Sequence, residues 1–296
     1  MTKTIELKHA SGARAEVHLY GATVTGFYTA TEPTRNVLFV SEKAVLDGSK
    51  PIRGGIPLVF PVFGSAPGFP NHGFARITNW TLSELNQTVG DSKEPTVATF
   101  TLASSDATRA IYPHDFELRY EVKLFADALV TALHVKNTSA EEIGFQALLH
   151  TYFTVDDVRQ GGCAVEGLKG LEYHDKVTAS AQHEARDAVT FEKETDSVYK
   201  NAPGRIVVRI RGASGQNHVA TIDKRAFLHR DGRQQDVPSD AVVWNPWIDK
   251  AKGMSDFGDD EYVRMVCVEP GCVSEQQKLG AGLTFTLQQT LHISSL

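Results

Sequence analysis

Leu283-Thr284-Phe285-Thr286-Leu287-Gln288-Gln289-Thr290-Leu291-His292-Ile293 is the stretch whose reading decides the fold class of this chain. Leu283, Phe285, Leu287, Leu291 and Ile293 fall on one face and Thr284, Thr286, Gln288, Thr290 and His292 on the other, the period of two that a half-buried strand imposes. The same alternation runs through 117–125, where Leu118, Tyr120, Val122 and Leu124 oppose Arg119, Glu121 and Lys123, and it returns in Leu129, Leu133 and Val135. Asp127 and Ala128, between those two runs, predict a hairpin turn. Further strands are expected over 4–8, 14–20, 23–28, 36–40, 80–85, 96–102, 144–153, 206–211, 217–222, 241–244 and 262–269. No window carries a long apolar stripe of helical period, so helix is expected only in short pieces near Ser41–Leu46 and Pro246–Lys252. Sequential strands joined by turns predict an antiparallel, all-β architecture. No linker, composition break or internal repeat divides the chain. The expectation is one large curved β-sandwich over 1–296 with a concave face, and 223–240, rich in Asp, Arg and Gln, as its longest surface excursion.

Apolar residues make up 41% of the 296, enough to bury a sizeable core. Thirty-six acidic against 30 basic side chains give a formal charge of −6, the wrong sign for a protein that grips nucleic acid by neutralising phosphates. No nucleic-acid partner is expected, although a few local arginines can still hold one small anion. The N-terminal residues lack the apolar core of a secretory signal. Cys163, Cys267 and Cys272 form no C-x-x-C pair, so neither a disulfide framework nor a zinc site is indicated, and reduced thiols in the cytoplasm fit best. The sequons at Asn79, Asn86 and Asn137 then read as chance matches. No coiled-coil or exposed apolar helix pattern asks for a partner, and a monomer is expected.

From Gly54 to Ala75 the chain carries no formal charge, long enough to raise the question of a membrane span. Pro57, Pro61, Pro67 and Pro70, with glycines between them, preclude the continuous helix a bilayer demands. No membrane partner is expected, and the window reads as a structured loop around two short strands.

The signatures of zinc proteolysis, serine hydrolysis, NTP hydrolysis and dinucleotide binding are all missing, and the histidines are scattered. No metal and no cofactor is expected. Glu269 shares the face of Val263, Met265 and Cys267, the apolar one, just before Pro270 and Gly271, which are expected to end the strand. Partial desolvation at the lip of a core would raise its pKa and suit it as a general base; a solvated strand-end carboxylate is the alternative. His150 shares a mixed face with Gln146, Leu148 and Tyr152, fitting either a proton donor on a pocket floor or a hydrogen-bonded structural histidine. Arg53, in Arg53-Gly54-Gly55-Ile56-Pro57, and Arg76, in Asn71-His72-Gly73-Phe74-Ala75-Arg76, bracket the neutral window. Glycines beside a guanidinium fork suit a bound phosphate or carboxylate, and equally an ordinary surface turn.

Taken in order, Arg53-Gly54-Gly55-Ile56-Pro57 with Pro61-Val62-Phe63-Gly64, His72-Gly73-Phe74-Ala75-Arg76, His150-Thr151-Tyr152 and Glu269-Pro270-Gly271 resemble the hexose-6-phosphate mutarotases, the glucose-6-phosphate 1-epimerases of the aldose 1-epimerase (galactose mutarotase-like) superfamily. The resemblance runs from about residue 5 to 293. It implies a curved β-sandwich with a metal-free site on its concave face, interconverting the α and β anomers of a 6-phosphorylated hexose. It also implies Glu269 as the base on the C1 hydroxyl, His150 as the acid on the ring oxygen, Arg53 and Arg76 as phosphate ligands, His72 beside the sugar and Asp196 as acceptor of ring hydroxyls. Family members commonly carry glutamine where Asn71 stands and arginine where Ser197 stands. Trp244 and Trp247 fit sugar stacking or packing, with packing favoured. Two other readings stand beside this one: an aldose 1-epimerase acting on free hexoses, with the arginines structural, and a non-catalytic sugar-phosphate-binding sandwich.

Overall fold

The computed structural model describes residues 3–88, 93–213, 215–230 and 232–295. Two large antiparallel sheets and one small one account for the architecture. The ten-stranded sheet runs in the order Ala188–Val189, Cys163–Glu166, Arg205–Ile210, His218–Arg230, Thr284–Ser295, Ala128–Asn137, Phe116–Leu124, Thr96–Ala103, Thr81–Asn86, with Arg233–Val237 paired to His218–Arg230. The eight-stranded sheet runs Ser180–His183, Glu172–Asp175, Thr195–Tyr199, Asp240–Asn245, Met265–Leu279, Ile143–Leu149, Leu58–Val59, with Tyr152–Thr154 also paired to Met265–Leu279. Thr4–Lys8, Arg14–His18 and Thr23–Tyr28 form the third.

The alternation that predicted strands also says where the core lies. Phe285, Leu287 and Leu291 from the ten-stranded sheet join Phe145, Leu149, Val243, Val266 and Val268 from the eight-stranded sheet in one continuous buried cluster. At its central strands the opposite face of the eight-stranded sheet is not wet either. Leu148, Tyr152, Val242, Trp244, Met265 and Cys267 form a second buried cluster there, covered by the Trp247–Lys252 helix and the Met254–Tyr262 segment. A sheet covered on both faces is where a buried ionisable group has to be explained.

Most expected strands are present, and the Asp127 turn joins Phe116–Leu124 to Ala128–Asn137 as a hairpin. Four expectations are corrected. Ser41–Leu46 is not helical: Ser41 Oγ accepts the Lys43 N–H, and the Ala44 N–H to Ser41 carbonyl bond closes a lone turn. The 36–40 run makes only isolated bridges, Leu38 to Phe153 and Val40 to Gly54. The 223–240 segment is no surface excursion; it extends the His218–Arg230 strand and pairs it with Arg233–Val237, with Arg225, Arg233 and Asp236 exposed while Lys224, Ala226, Phe227 and Asp240 are buried, Lys224 Nζ donating to the Ala202 and Ser239 carbonyls. Pro270 and Gly271 do not end their strand, which runs unbroken from Met265 to Leu279. The Val268 N–H donates to the Thr151 carbonyl, so by alternation the Pro270 nitrogen faces the same neighbour, where the strand is interrupted between Leu149 and Tyr152. No ladder bond is lost to the proline.

The strands between 163 and 199 gave no signal in the sequence because they are short and several face water on both sides, as Ser180–His183 does. The neutral window, expected to wrap two short strands, holds only one among the described residues, the two-residue Leu58–Val59, and otherwise docks by single bonds: Ile56 N–H to the Val24 carbonyl, Gln146 N–H to the Pro61 carbonyl, His150 N–H to the Pro57 carbonyl. Among the described residues no helix is long and apolar enough to cross a membrane.

Candidate active site

Strand register assembles the site. Tyr152 stands opposite Cys267 and Leu148 opposite Gly271, a constant offset, so across the interruption His150 stands opposite Glu269. Continuing outward, Cys267 faces Trp244 and Trp244 faces Asp196, while Glu269 faces Val242 and Val242 faces Val198. Two adjacent rows therefore cross the outer face of the sheet: Tyr152, Cys267, Trp244, Asp196, and His150, Glu269, Val242, Val198. Directly opposed side chains on one face lie close enough to touch. His150 Nδ1 indeed lies 3.3 Å from Glu269 Oε1.

A cavity of about 560 Å³ opens over these rows. His150, Glu269, Asp196, Trp244 and Val242 lie on its floor and wall, with Asn71, His72, Phe63 and Gly64 contributed by the neutral window and Arg53, Lys176, Lys250 and Met254 completing the wall. The window reaches the site because its glycines allow close passage. Gly55, at φ +70°, runs so near the Val24 carbonyl that a Cβ would sit 2.1 Å from that oxygen, and Gly73, at φ +73°, is equally tight against the Phe60 carbonyl. These passages deliver Arg53 and His72.

The floor is dry. Glu269 is 1% exposed and His150 7%. Burial pushes the Glu269 carboxyl well above the usual carboxylate range, the Asp196 charge adding to the effect and Lys176 and Arg76 opposing it. Burial likewise pushes His150 well below the ordinary histidine value, helped by His72, Arg76 and Arg53. Both directions favour one proton held by the pair, on the carboxyl in the resting state. His150 Nδ1 and Glu269 Oε2 are buried with no hydrogen-bond partner, an unusual cost in a core. The His150 ring stacks on Tyr152 with centroids 4.8 Å apart and meets Trp244 edge-on at 5.8 Å, which fixes its plane.

The remaining sequence candidates are placed unevenly. Arg53 is on the wall, its Nε and Nη2 donating to Asp256 Oδ1 at 3.3 and 3.2 Å and its Nη1 to the Tyr152 hydroxyl at 3.4 Å. Burial opposes its charge, but Tyr152 and Asp256 outweigh that and hold the guanidinium above its ordinary value. Arg76 does not line the cavity; it is 8% exposed, donates from Nη2 to the Asn71 carbonyl at 2.8 Å, and is lowered to about 10 by burial and then by Arg53, with Tyr152 pulling the other way. His72, at φ +62°, accepts the Gly64 N–H at Nδ1 and is lowered to about 2, chiefly by burial and then by Arg76, Lys176 and Arg53, so it stays neutral. Asp196 is raised by burial, Lys176 opposing, with Lys176 Nζ 3.5 Å from its Oδ2. Of the tryptophans, Trp244 is on the cavity wall and Trp247 packs on Tyr262.

Three residues escaped the sequence reading. Lys176 lies 4.5 Å over the Phe63 ring, and Lys250 pairs with Glu194 at 2.8 Å; both bring charge to the wall from segments with no pattern to flag them. Gln289 is wholly buried and exchanges hydrogen bonds of 3.0 and 2.9 Å with the Thr151 hydroxyl, tying the centre of the ten-stranded sheet to the residue beside His150. Its signal was present as the one polar gap in the stripe Phe285, Leu287, Leu291. Among side chains with metal-ligating atoms, His150, Cys267 and Glu269 bring theirs within 4.8 Å of one another.

An all-β double sheet with a buried histidine–carboxylate pair under a basic-walled cavity is matched, over residues 3–292, by the family model for aldose 1-epimerase, and the chain belongs to that family. Among individual relatives, a protein of Cenchrus ciliaris named "Putative glucose-6-phosphate 1-epimerase" is 35% identical over 94% of this chain and 80% of its own length. One of Escherichia coli K12 with the same name is 30% identical over 95% of this chain and 87% of its own. The crystal structure of YeaD from Salmonella typhimurium superposes with a TM-score of 0.82 at 28% identity, covering 99% of this chain and 90% of that one.

Proposed function

We propose that the protein interconverts the α and β anomers of hexose 6-phosphates, glucose 6-phosphate among them, by acid–base opening and reclosure of the ring. The observation that carries the reading is the 3.3 Å approach of His150 Nδ1 to Glu269 Oε1 beneath a wall that holds Arg53, Lys176 and Lys250. The C1 hydroxyl oxygen and the ring oxygen share one carbon, so the base and acid that serve them must sit side by side. Passing the pair's single proton from Glu269 to His150 yields the carboxylate and imidazolium the reaction needs. Glu269 then takes the C1 hydroxyl proton as His150 gives one to the ring oxygen; the C1–O5 bond breaks and C1 becomes an aldehyde. Rotation about C1–C2 presents the other carbonyl face, and reversal of both transfers closes the other anomer. Each group contributes about 10²–10⁴-fold. Arg53 from the wall and Arg76 from behind Asn71 supply positive charge for the phosphate, while Asp196 and His72 receive ring hydroxyls. The relatives' name supports the phosphorylated substrate.

One observation favours a second reading, with free hexoses as substrates: Asp256 already neutralises Arg53, and Arg76 is off the wall. Anomer exchange followed by NMR magnetisation transfer on glucose 6-phosphate and on glucose decides between them, using wild type, Glu269→Gln, Arg53→Ala and Arg76→Ala. The proposal expects fast exchange on the phosphate sugar, lowered about 10²–10⁴-fold by Glu269→Gln and weakened by the arginine variants. Equal rates on both sugars select the second reading, and no acceleration on either leaves a binding module. We also propose a single cytoplasmic unit over 1–296 acting as a monomer, supported by the core that links Ile5 to Leu291 and by three free cysteines.

A further inference from the structure

We propose that His150, Cys267 and Glu269 form a binding site for Zn²⁺, and that the metal shuts off the acid–base pair by occupying it. Cys267 has no part in ring opening, yet it sits two residues before Glu269 on the same strand face, and His150 stands across the register from Glu269. The three offer nitrogen, sulfur and oxygen within 4.8 Å of one another. Tetrahedral zinc, with bonds of about 2.0–2.3 Å, sets neighbouring ligand atoms roughly 3.3–3.6 Å apart. The His150–Glu269 contact, at 3.3 Å, already has that spacing.

A second, independent observation points to a ligand. His150 Nδ1 and Glu269 Oε2 are buried without hydrogen-bond partners, and both side chains are more than nine-tenths buried. Buried polar atoms left this way gain most from a cation. The donor set selects its chemistry: thiolate and imidazole favour zinc and similar metals over Mg²⁺ or Ca²⁺, which want oxygen shells. Three protein ligands leave a fourth position for water or a sugar hydroxyl, and two of the three, His150 and Glu269, line the cavity while Cys267 lies buried beside them. Binding releases the Cys267 thiol proton and the proton shared by His150 and Glu269 to solvent, and no electron moves. The pair then has no proton to exchange, and catalysis stops. Cys163 and Cys272, also buried, stand in no such group among the described residues.

Cobalt titration tests the site without recourse to activity. Co²⁺ added to the wild type should give a sulfur-to-metal charge-transfer band in the near ultraviolet at one metal per chain, displaced by Zn²⁺ and untouched by Mg²⁺. Cys267→Ala and Cys267→Ser should each abolish the band and weaken zinc binding at least about tenfold, the scale on which even outer partners of a metal ligand are felt. They should retain anomer exchange and lose its inhibition by zinc. The inhibition arm rests on the epimerase reading; the spectroscopic arm does not. No band in the wild type, or a band that survives both substitutions, would overturn the metal site. A band without anomer exchange would sustain the metal site and overturn the epimerase reading instead.

Discussion

The strands Met265–Leu279 and Thr284–Ser295 follow one another in the chain, lie inside different sheets and obey the same period of two, yet they use it for opposite ends. Thr284–Ser295 turns Phe285, Leu287 and Leu291 into the shared core, and the buried polar side chain on that face, Gln289, finds the Thr151 hydroxyl. Met265–Leu279 sends Val266 and Val268 to the same core and turns Cys267 and Glu269 onto an outer face that is covered as well. There Glu269 Oε2 stays unpaired beside an unpaired His150 Nδ1. A buried polar group that is satisfied holds the fold, whereas one left unsatisfied next to a second titratable group, in a cavity, is poised for chemistry.

Substitutions that separate these two uses give the sharpest tests. Glu269→Gln keeps the shape of the side chain and removes the proposed base, so we expect exchange to fall by about 10²–10⁴-fold, with the urea midpoint unchanged or raised. A comparable loss of stability would collapse the distinction between the strands. Leu287→Ala should do the reverse: chemical denaturation should register a loss of about 2–5 kcal/mol, and exchange per folded molecule should hold. Gln289→Leu removes both hydrogen bonds to the Thr151 hydroxyl, leaving it only the Leu149 carbonyl at 3.3 Å, and should cost about 1–3 kcal/mol of stability. Because Thr151 adjoins His150, a smaller fall in kcat should accompany it, which Leu287→Ala does not show.

The smallest effect lies in the pH profile. In the proposed mechanism the pair has lost its shared proton above the alkaline limb, and His150 has none to give. The negative charge of Asp196 raises the Glu269 pKa and Lys176 lowers it. Asp196→Asn should therefore move the alkaline limb of kcat/KM to lower pH and Lys176→Met to higher pH, each by about one pH unit or less. Movement in the same direction for both would break the assignment of that limb to Glu269.

How much of this was legible follows the same division. Hairpins such as Phe116–Leu124 with Ala128–Asn137 read directly, since neighbouring strands pair through a short turn and need no long-range information. Edge strands such as Ser180–His183 did not, because they bury almost nothing and so carry no alternation. In the site, Glu269 and His150 drew notice as ionisable groups on apolar or mixed faces. Lys176 and Lys250 did not, since a lysine in a polar segment looks the same whether it faces bulk water or a cavity. Pro270 was misread because its missing donor matters only if a neighbouring strand needs it, and the interruption at His150 and Thr151 means none does.

By itself the sequence determined that the chain is built from antiparallel strands, which face each residue takes, and which chemical types are available along the motif from Arg53 to Gly271. A period of two fixes a side chain's face relative to its own strand and nothing further. The tertiary structure decided the register, which set His150 opposite Glu269, Cys267 beside them and Arg76 behind Asn71. Those placements depend on packing between segments far apart in the chain, and burial, which moves both pKa values, exists only once that packing is made.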